Sequence, residues 1–237
     1  MQIEYIVIIG LIFCLGFGIE SIFGFAGTII SLAILGLFFD IKEMVALAVF
    51  AGSIASIYIF LSDYKSFKLK IYGYIMLFTI PGVILGTIFL KNYSSDVILY
   101  VFSGFLIAFA VYTIIALKFS VPRLIKPIIM FAGGILGGMF GTGGPFVIAA
   151  LKDSFGGKSA MRTTLAAMFL TFNIIRGPIY VKQGILDLEK LYPFWWVALL
   201  LALTIWLGHK IHIKISERTF HIGVSTLLII AGVSFLF

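Results

Sequence analysis

The stretch Phe140-Gly141-Thr142-Gly143-Gly144-Pro145 stands inside an otherwise apolar run and prevents that run from forming one straight helix. Glycine is a poor helix former, and proline is suited to the first turn of a new helix, so Pro145 marks a restart. The N–H groups of such a restart lack partners within the helix and carry partial positive charge, so they can hold an anion. In a bilayer, broken backbone is tolerated only where protein buries it or it lines a cavity. A weaker copy, Phe23-Gly24-Phe25-Ala26-Gly27-Thr28, interrupts the first apolar run. Paired breaks in corresponding halves point to a transporter's binding site, whereas close helix packing is the competing use of such glycines.

The surrounding composition places both breaks in a membrane. Only 11% of the 237 residues are charged and the mean hydropathy is +1.18, against roughly 25% charged residues in a soluble domain. The formal charge of +7 lies in short loops between apolar segments, where it sets orientation and does not imply nucleic acid. Met1-Gln2-Ile3-Glu4-Tyr5 has no basic residue and is expected to lead into a membrane segment, not a signal peptide. Cys14 is the single cysteine, which excludes an internal disulfide and implies no thiol chemistry.

Apolar stretches run over residues 3–39, 44–61, 71–90, 97–117, 125–151, 160–180, 191–207 and 220–237. The first and fifth contain the breaks. Placing Phe23-Gly24 on Phe140-Gly141 also aligns Gly27 with Gly144, Met44 with Met161 and Ser56 with Asn173. The order of features therefore repeats, with a boundary near 118–126 that divides one integral membrane domain into repeats 1–120 and 121–237.

Charge chooses between two topologies. If each broken stretch crosses once, Lys and Arg split nine to eight and orient nothing. If each is a hairpin returning to its starting side, twelve share one side, among them Lys65, Lys68, Lys70, Lys118, Arg123 and Lys126. Lys42, Lys91, Arg176, Lys182 and Lys190 remain on the other. Twelve against five is a positive-inside signal. The expected fold is an all-α membrane protein of two inverted repeats. Each is a Gly-rich broken, re-entrant helical hairpin plus three transmembrane helices, with both termini outside. Pro145 to Leu151 rises only roughly 10 Å, so the second hairpin cannot span a core about 30 Å thick.

Among polar residues, Glu20 lies three residues before Phe23-Gly24, and a carboxylate at membrane depth is by default a functional hypothesis. Thr163, Thr164, Thr171 and Asn173 follow the second break, and the last three span roughly 14 Å of helix rise beside it. Threonine back-bonding to the preceding turn is the competing role. Arg176, one turn past Asn173, either draws anions from outside or snorkels at a helix end. His209, His212 and His221 have no metalloprotease spacing, and no Gly-Lys-Ser/Thr follows Gly144 to make a phosphate loop. Lys152 and Asp153 read as a solvated pair. Tyr192, Trp195 and Trp196 suit an interfacial aromatic belt.

The glycine motif at 140–145, followed by Met161-Arg162-Thr163-Thr164-Leu165 and Asn173, resembles the sulfite exporter TauE/SafE family of small prokaryotic permeases built from two related halves. The likeness runs over the whole chain. In its first half the family tends to show Gly-x-Gly-Gly-Gly and a following proline, where this chain has Gly24-Phe25-Ala26-Gly27-Thr28 and none nearby. The resemblance implies export or uptake of sulfite or an organosulfonate such as sulfoacetate across a prokaryotic cell membrane. The expected substrate site combines Gly141, Thr142, Gly143 and Gly144 with Gly24, Ala26, Gly27 and Thr28. Thr163, Thr164, Thr171 and Asn173 join it, and Glu20 and Arg176 are the coupling or gating candidates. No cofactor, metal or nucleic acid is expected, and absence of a nucleotide motif argues against ATP-driven transport. The partners are a small anion and the bilayer. A coupling proton or sodium and a homodimer stay open. The rival readings are a passive anion channel, a transporter of an unrelated small carboxylate and an intramembrane enzyme, the last lacking any catalytic dyad.

Overall fold

The computed structural model describes residues 3–115, 121–210 and 217–236. Lys118, His212 and Lys214 fall outside these residues, as do the side chains of Lys152, Lys190, His209, Lys210, Arg218 and His221. Among the described residues the regular structure is helical. The first half holds α1 (Ile3–Phe23), α2 (Gly27–Leu35), α3 (Ile41–Ser62), α4 (Leu69–Asn92) and α5 (Ser95–Ile115). The second holds α6 (Lys126–Phe140), α7 (Gly144–Leu151), α8 (Lys158–Lys182), α9 (Trp195–Lys210) and α10 (Glu217–Ser234). Among the described residues four helices, α1, α3, α4 and α8, are long and apolar enough to cross a membrane. Each half thus begins with a helix that breaks at the glycine stretch and restarts as a short one.

Both breaks make hairpins that return to the end they start from. In the first, Ser31 reaches the carbonyl of Ile12 at 3.4 Å, and the Phe39 ring meets Tyr5 at 5.7 Å. In the second, Lys126 at the start of α6 and Leu151 at the end of α7 line one cavity. With 8 residues, α7 rises about 12 Å and crosses less than half of an apolar core. At 21 residues, α1 is longer than the 15-residue α6, and the first tip accordingly reaches further along the bundle than the second.

The halves interlock. Helices α3 and α8 pack antiparallel: Asp63 meets Thr163, Gly52 meets Asn173 and Val49 meets Gly177. Helix α1 runs parallel to α9, with Gly10 against Trp196 and Gly18 facing Thr204, and α6 runs parallel to α4. The α4–α6 seam explains why two glycine pairs recur at a spacing of four. A Cβ on Gly82 or Gly86 would strike the carbonyls of Phe131 or Ile135, and one on Gly134 or Gly138 those of Thr79 or Val83. With no hydrophobic drive between helices in lipid, such backbone contact is what holds them together.

Tyr192 and Trp195 are exposed, as an aromatic belt requires, while Trp196 packs on Gly10. Asp153 is exposed, and Cys14 is buried.

Candidate functional site

Helix α8 positions both tips. The last carbonyls of a helix have no partner within it. For α6, α8 takes those of Gly137, Gly138 and Met139: Arg176 Nη1 donates to Gly137 at 3.3 Å, and Tyr180 Oη to Gly138 at 2.6 Å and Met139 at 3.2 Å. For α1, Arg162 Nη1 donates to the Ser21 carbonyl at 2.8 Å. A Cβ on Gly24 would lie 3.2 Å from Arg162, and one on Gly144 3.4 Å from Phe25 Cβ. The two tips therefore meet inside the bundle, with Arg162 and Arg176 on either side of the middle of α8.

At the second tip, Gly141 ends α6 in the left-handed region (φ 76°), which only glycine adopts freely, and its N–H closes on Gly137 at 2.9 Å. A Cβ there would stand 2.6 Å from Arg176 Nη2, so the guanidinium lies against the tip backbone. Arg176 Nε donates to Asn173 Oδ1 at 3.0 Å, and Thr142 Oγ1 reaches the Leu136 carbonyl at 3.4 Å. Arg176 is only 1% exposed, and among the described residues no carboxylate pairs with it. Buried charges are normally paired. The C-terminal dipole of α6 offsets part of this one. The rest leaves the tip electropositive, beside the first N–H groups of α7, and such a place stabilises an anion.

The first tip is built differently. Glu20, 4% exposed, accepts the Gly27 N–H at 2.9 Å through Oε2, and the Thr28 N–H also bonds it. The protein's own carboxylate thus occupies the N-terminus of α2. In the aligned second half the place of Glu20 is taken by Gly137, and no acid stands there. Ala26, which precedes α2, has φ 82°, an uncommon conformation for a residue with a Cβ, and such strain clusters at functional sites.

The remaining expected residues divide. Asn173 reaches the second tip through Arg176. Thr163 and Thr164 do not: Thr163 bonds the Asp63 carbonyl at 3.3 Å, and Thr164 accepts the Lys68 N–H at 3.3 Å, because the first turns of α8 pack on the α3–α4 connection. Thr171 back-bonds to Ala167 at 2.9 Å and meets Tyr72 Oη at 2.7 Å, away from both breaks. Arg176 is neither a snorkelling residue nor one facing the exterior, since it is buried against α6. The roles of Tyr180 and Arg162 were missed. Tyr180, four residues after Arg176, shares its helix face, and that spacing is the signal that would have found it.

No curated protein and no solved structure matches the chain. A family model does, that of the sulfite exporter TauE/SafE, and it covers residues 8–235. With nearly the whole chain matched, two broken hairpins meeting inside a helical bundle and a buried arginine at one tip, the chain belongs to the sulfite exporter TauE/SafE family of membrane transporters.

Proposed function

We propose that the protein is a secondary transporter of a small oxyanion, sulfite or an organosulfonate such as sulfoacetate, and that the second tip binds it. The observation that carries this reading is Arg176, a buried guanidinium with no carboxylate partner among the described residues, at a glycine-rich helix restart. A guanidinium presents a fork of donors that matches the oxygens of a sulfite or sulfonate group. The anion would lie between that fork, the Asn173 amide, the Thr142 hydroxyl and the backbone of Gly143 and Gly144. Thr142, Asn173 and Arg176 are all buried, which corresponds to an occluded conformation.

The halves are inverted repeats, three crossings and a hairpin each, and the antiparallel packing of α3 against α8 supports this. Opening to either side then takes similar movements of similar parts. At the first tip Glu20 is an internal anion, and a proton arriving there would neutralise it. Uptake of a proton with the substrate offsets the cost of negative charge at mid-membrane.

The test is counterflow of labelled sulfite in proteoliposomes holding the purified chain. Unlabelled sulfite on the far side is expected to accelerate labelled entry severalfold, as in an alternating-access carrier. Flux that ignores the far side would make it a channel. Thermal-shift measurements against sulfite, sulfate, thiosulfate, sulfoacetate and acetate separate oxyanions from carboxylates, since a ligand stabilises the state it binds.

A further inference from the structure

We infer that the basic end of the bundle holds a binding site for the phosphate group of an anionic phospholipid. A cavity of about 490 Å³ opens there between the starts of α4 and α6 and the end of α7. Its polar lining is Lys70, Tyr74, Arg123, Lys126 and Ser154, and among the described residues no carboxylate lines it.

Two features make the cavity suited to an anion. The first is the placing of the lysines. A helix N-terminus carries partial positive charge and favours acids, and α3 and α5 follow this with Glu43 and Asp96 in their first turns. Helices α4 and α6, like α8 with Lys158, have no acid in the first turn and carry Lys70 and Lys126 there instead. Because α4 and α6 run parallel, both starts lie at one end and both lysines face one cavity. Two dipole ends and three cations then share a space whose described lining holds no carboxylate. The second feature is the hydroxyls of Tyr74 and Ser154, which complete the donors a phosphate oxygen accepts from.

The surroundings choose the lipid over a free oxyanion. Ile71, Val121 and Leu151 line the cavity too, and Leu69, Leu124 and Ile128, next to the three cations in sequence, are 69%, 88% and 67% exposed, so apolar side chains accompany the basic ones. One turn beyond Lys126, Ile129 lines a second, almost wholly apolar groove of about 270 Å³ with Phe105, Phe109 and Phe146. A diacyl phospholipid satisfies both, with its phosphate among the cations and an acyl chain along the groove. Basic pockets between membrane helices bind lipid headgroups in this manner.

Native mass spectrometry of the full chain in detergent tests the site, with phosphatidylglycerol, phosphatidylcholine, glycerol phosphate and inorganic phosphate as probes. Phosphatidylglycerol is expected to be retained at least tenfold better than phosphatidylcholine. Lys70→Gln, Arg123→Gln and Lys126→Gln are each expected to weaken that retention about fivefold. The pair Lys42→Gln and Lys91→Gln, at the other end, is expected to leave it unchanged. Arg123→Gln, at an exposed position ahead of α6, serves alone if the two helix variants do not fold. Equal retention of the two lipids, or full retention by the Arg123 variant, would overturn the site. Displacement of the lipid by inorganic or glycerol phosphate at equal concentration would overturn the lipid and leave a free oxyanion as the ligand.

Discussion

Arg162 and Arg176 stand about four turns apart on α8, and each donates to a terminal carbonyl of a broken helix, Ser21 at 2.8 Å and Gly137 at 3.3 Å. One helix therefore holds both hairpin tips by the same chemistry. The arginines differ in setting: Arg176 is fully buried, whereas Arg162 is half-buried near the start of α8. If Arg176 holds the substrate, Arg176→Gln is expected to lower sulfite flux about 10- to 100-fold, the worth of a hydrogen bond to a charged group. Arg176→Lys keeps the charge without the fork and is expected to fall between. Proteoliposome flux checks both, and an unchanged Arg176→Gln rate would return the residue to capping α6 alone.

Glu20 is expected to control the response to pH. Glutamine in its place still accepts the Gly27 N–H but carries no titratable proton, so Glu20→Gln is expected to transport without acceleration by an imposed pH step. Glu20→Ala also loses the cap on α2, at a cost of about 1 kcal/mol. Flux with and without the step, beside thermal unfolding of both variants, separates proton coupling from capping. Equal pH response in wild type and Glu20→Gln would leave sodium or uniport.

The α4–α6 seam is expected to govern stability. A Cβ on Gly86 meets the Ile135 carbonyl, so Gly86→Leu must push the helices apart and is expected to cost about 3 kcal/mol or more. Gly73, on the same helix, has nothing near its Cβ position, and Gly73→Ala is expected to stabilise α4 by about 0.5–1 kcal/mol. Thermal unfolding in one detergent compares the two directly.

Topology is checked with single cysteines in a Cys14→Ala background, labelled on intact cells by an impermeant reagent. Positions in 63–68 are expected to stay unlabelled and positions in 93–95 to react. Labelling of 63–68 from outside would reverse the orientation.

Much of the fold was legible because its signals are local. Glycine clusters and Pro145 mark the breaks, and apolar length marks the crossings. The charge split separates the ends: Lys70, Arg123 and Lys126 share one cavity, while Lys42 bonds Tyr93 far from them. The site was legible only in part. The sequence places Thr163, Thr164 and Thr171 near the second break, but helix rotation sends their hydroxyls to Asp63, Lys68 and Tyr72. Glu20 stands out as a buried acid, yet its bond to Gly27 depends on how α1 folds back, which no spacing encodes. Arg176 reads as a helix-end residue until α6 is seen to stop against it.

The pairing of α1 with α9 and of α4 with α6 bears on how the chain is made. A ribosome releases Gly10 long before Trp196 exists, roughly 10–40 s earlier at 5–20 residues per second. In that interval α1 lies in the bilayer with α2 but without α9, and the glycine face of α4 waits for α6. Packing across the halves therefore follows insertion, and the first half spends its early life with its own hairpin made while the helices that α1, α3 and α4 pack against from the second half have not yet been translated.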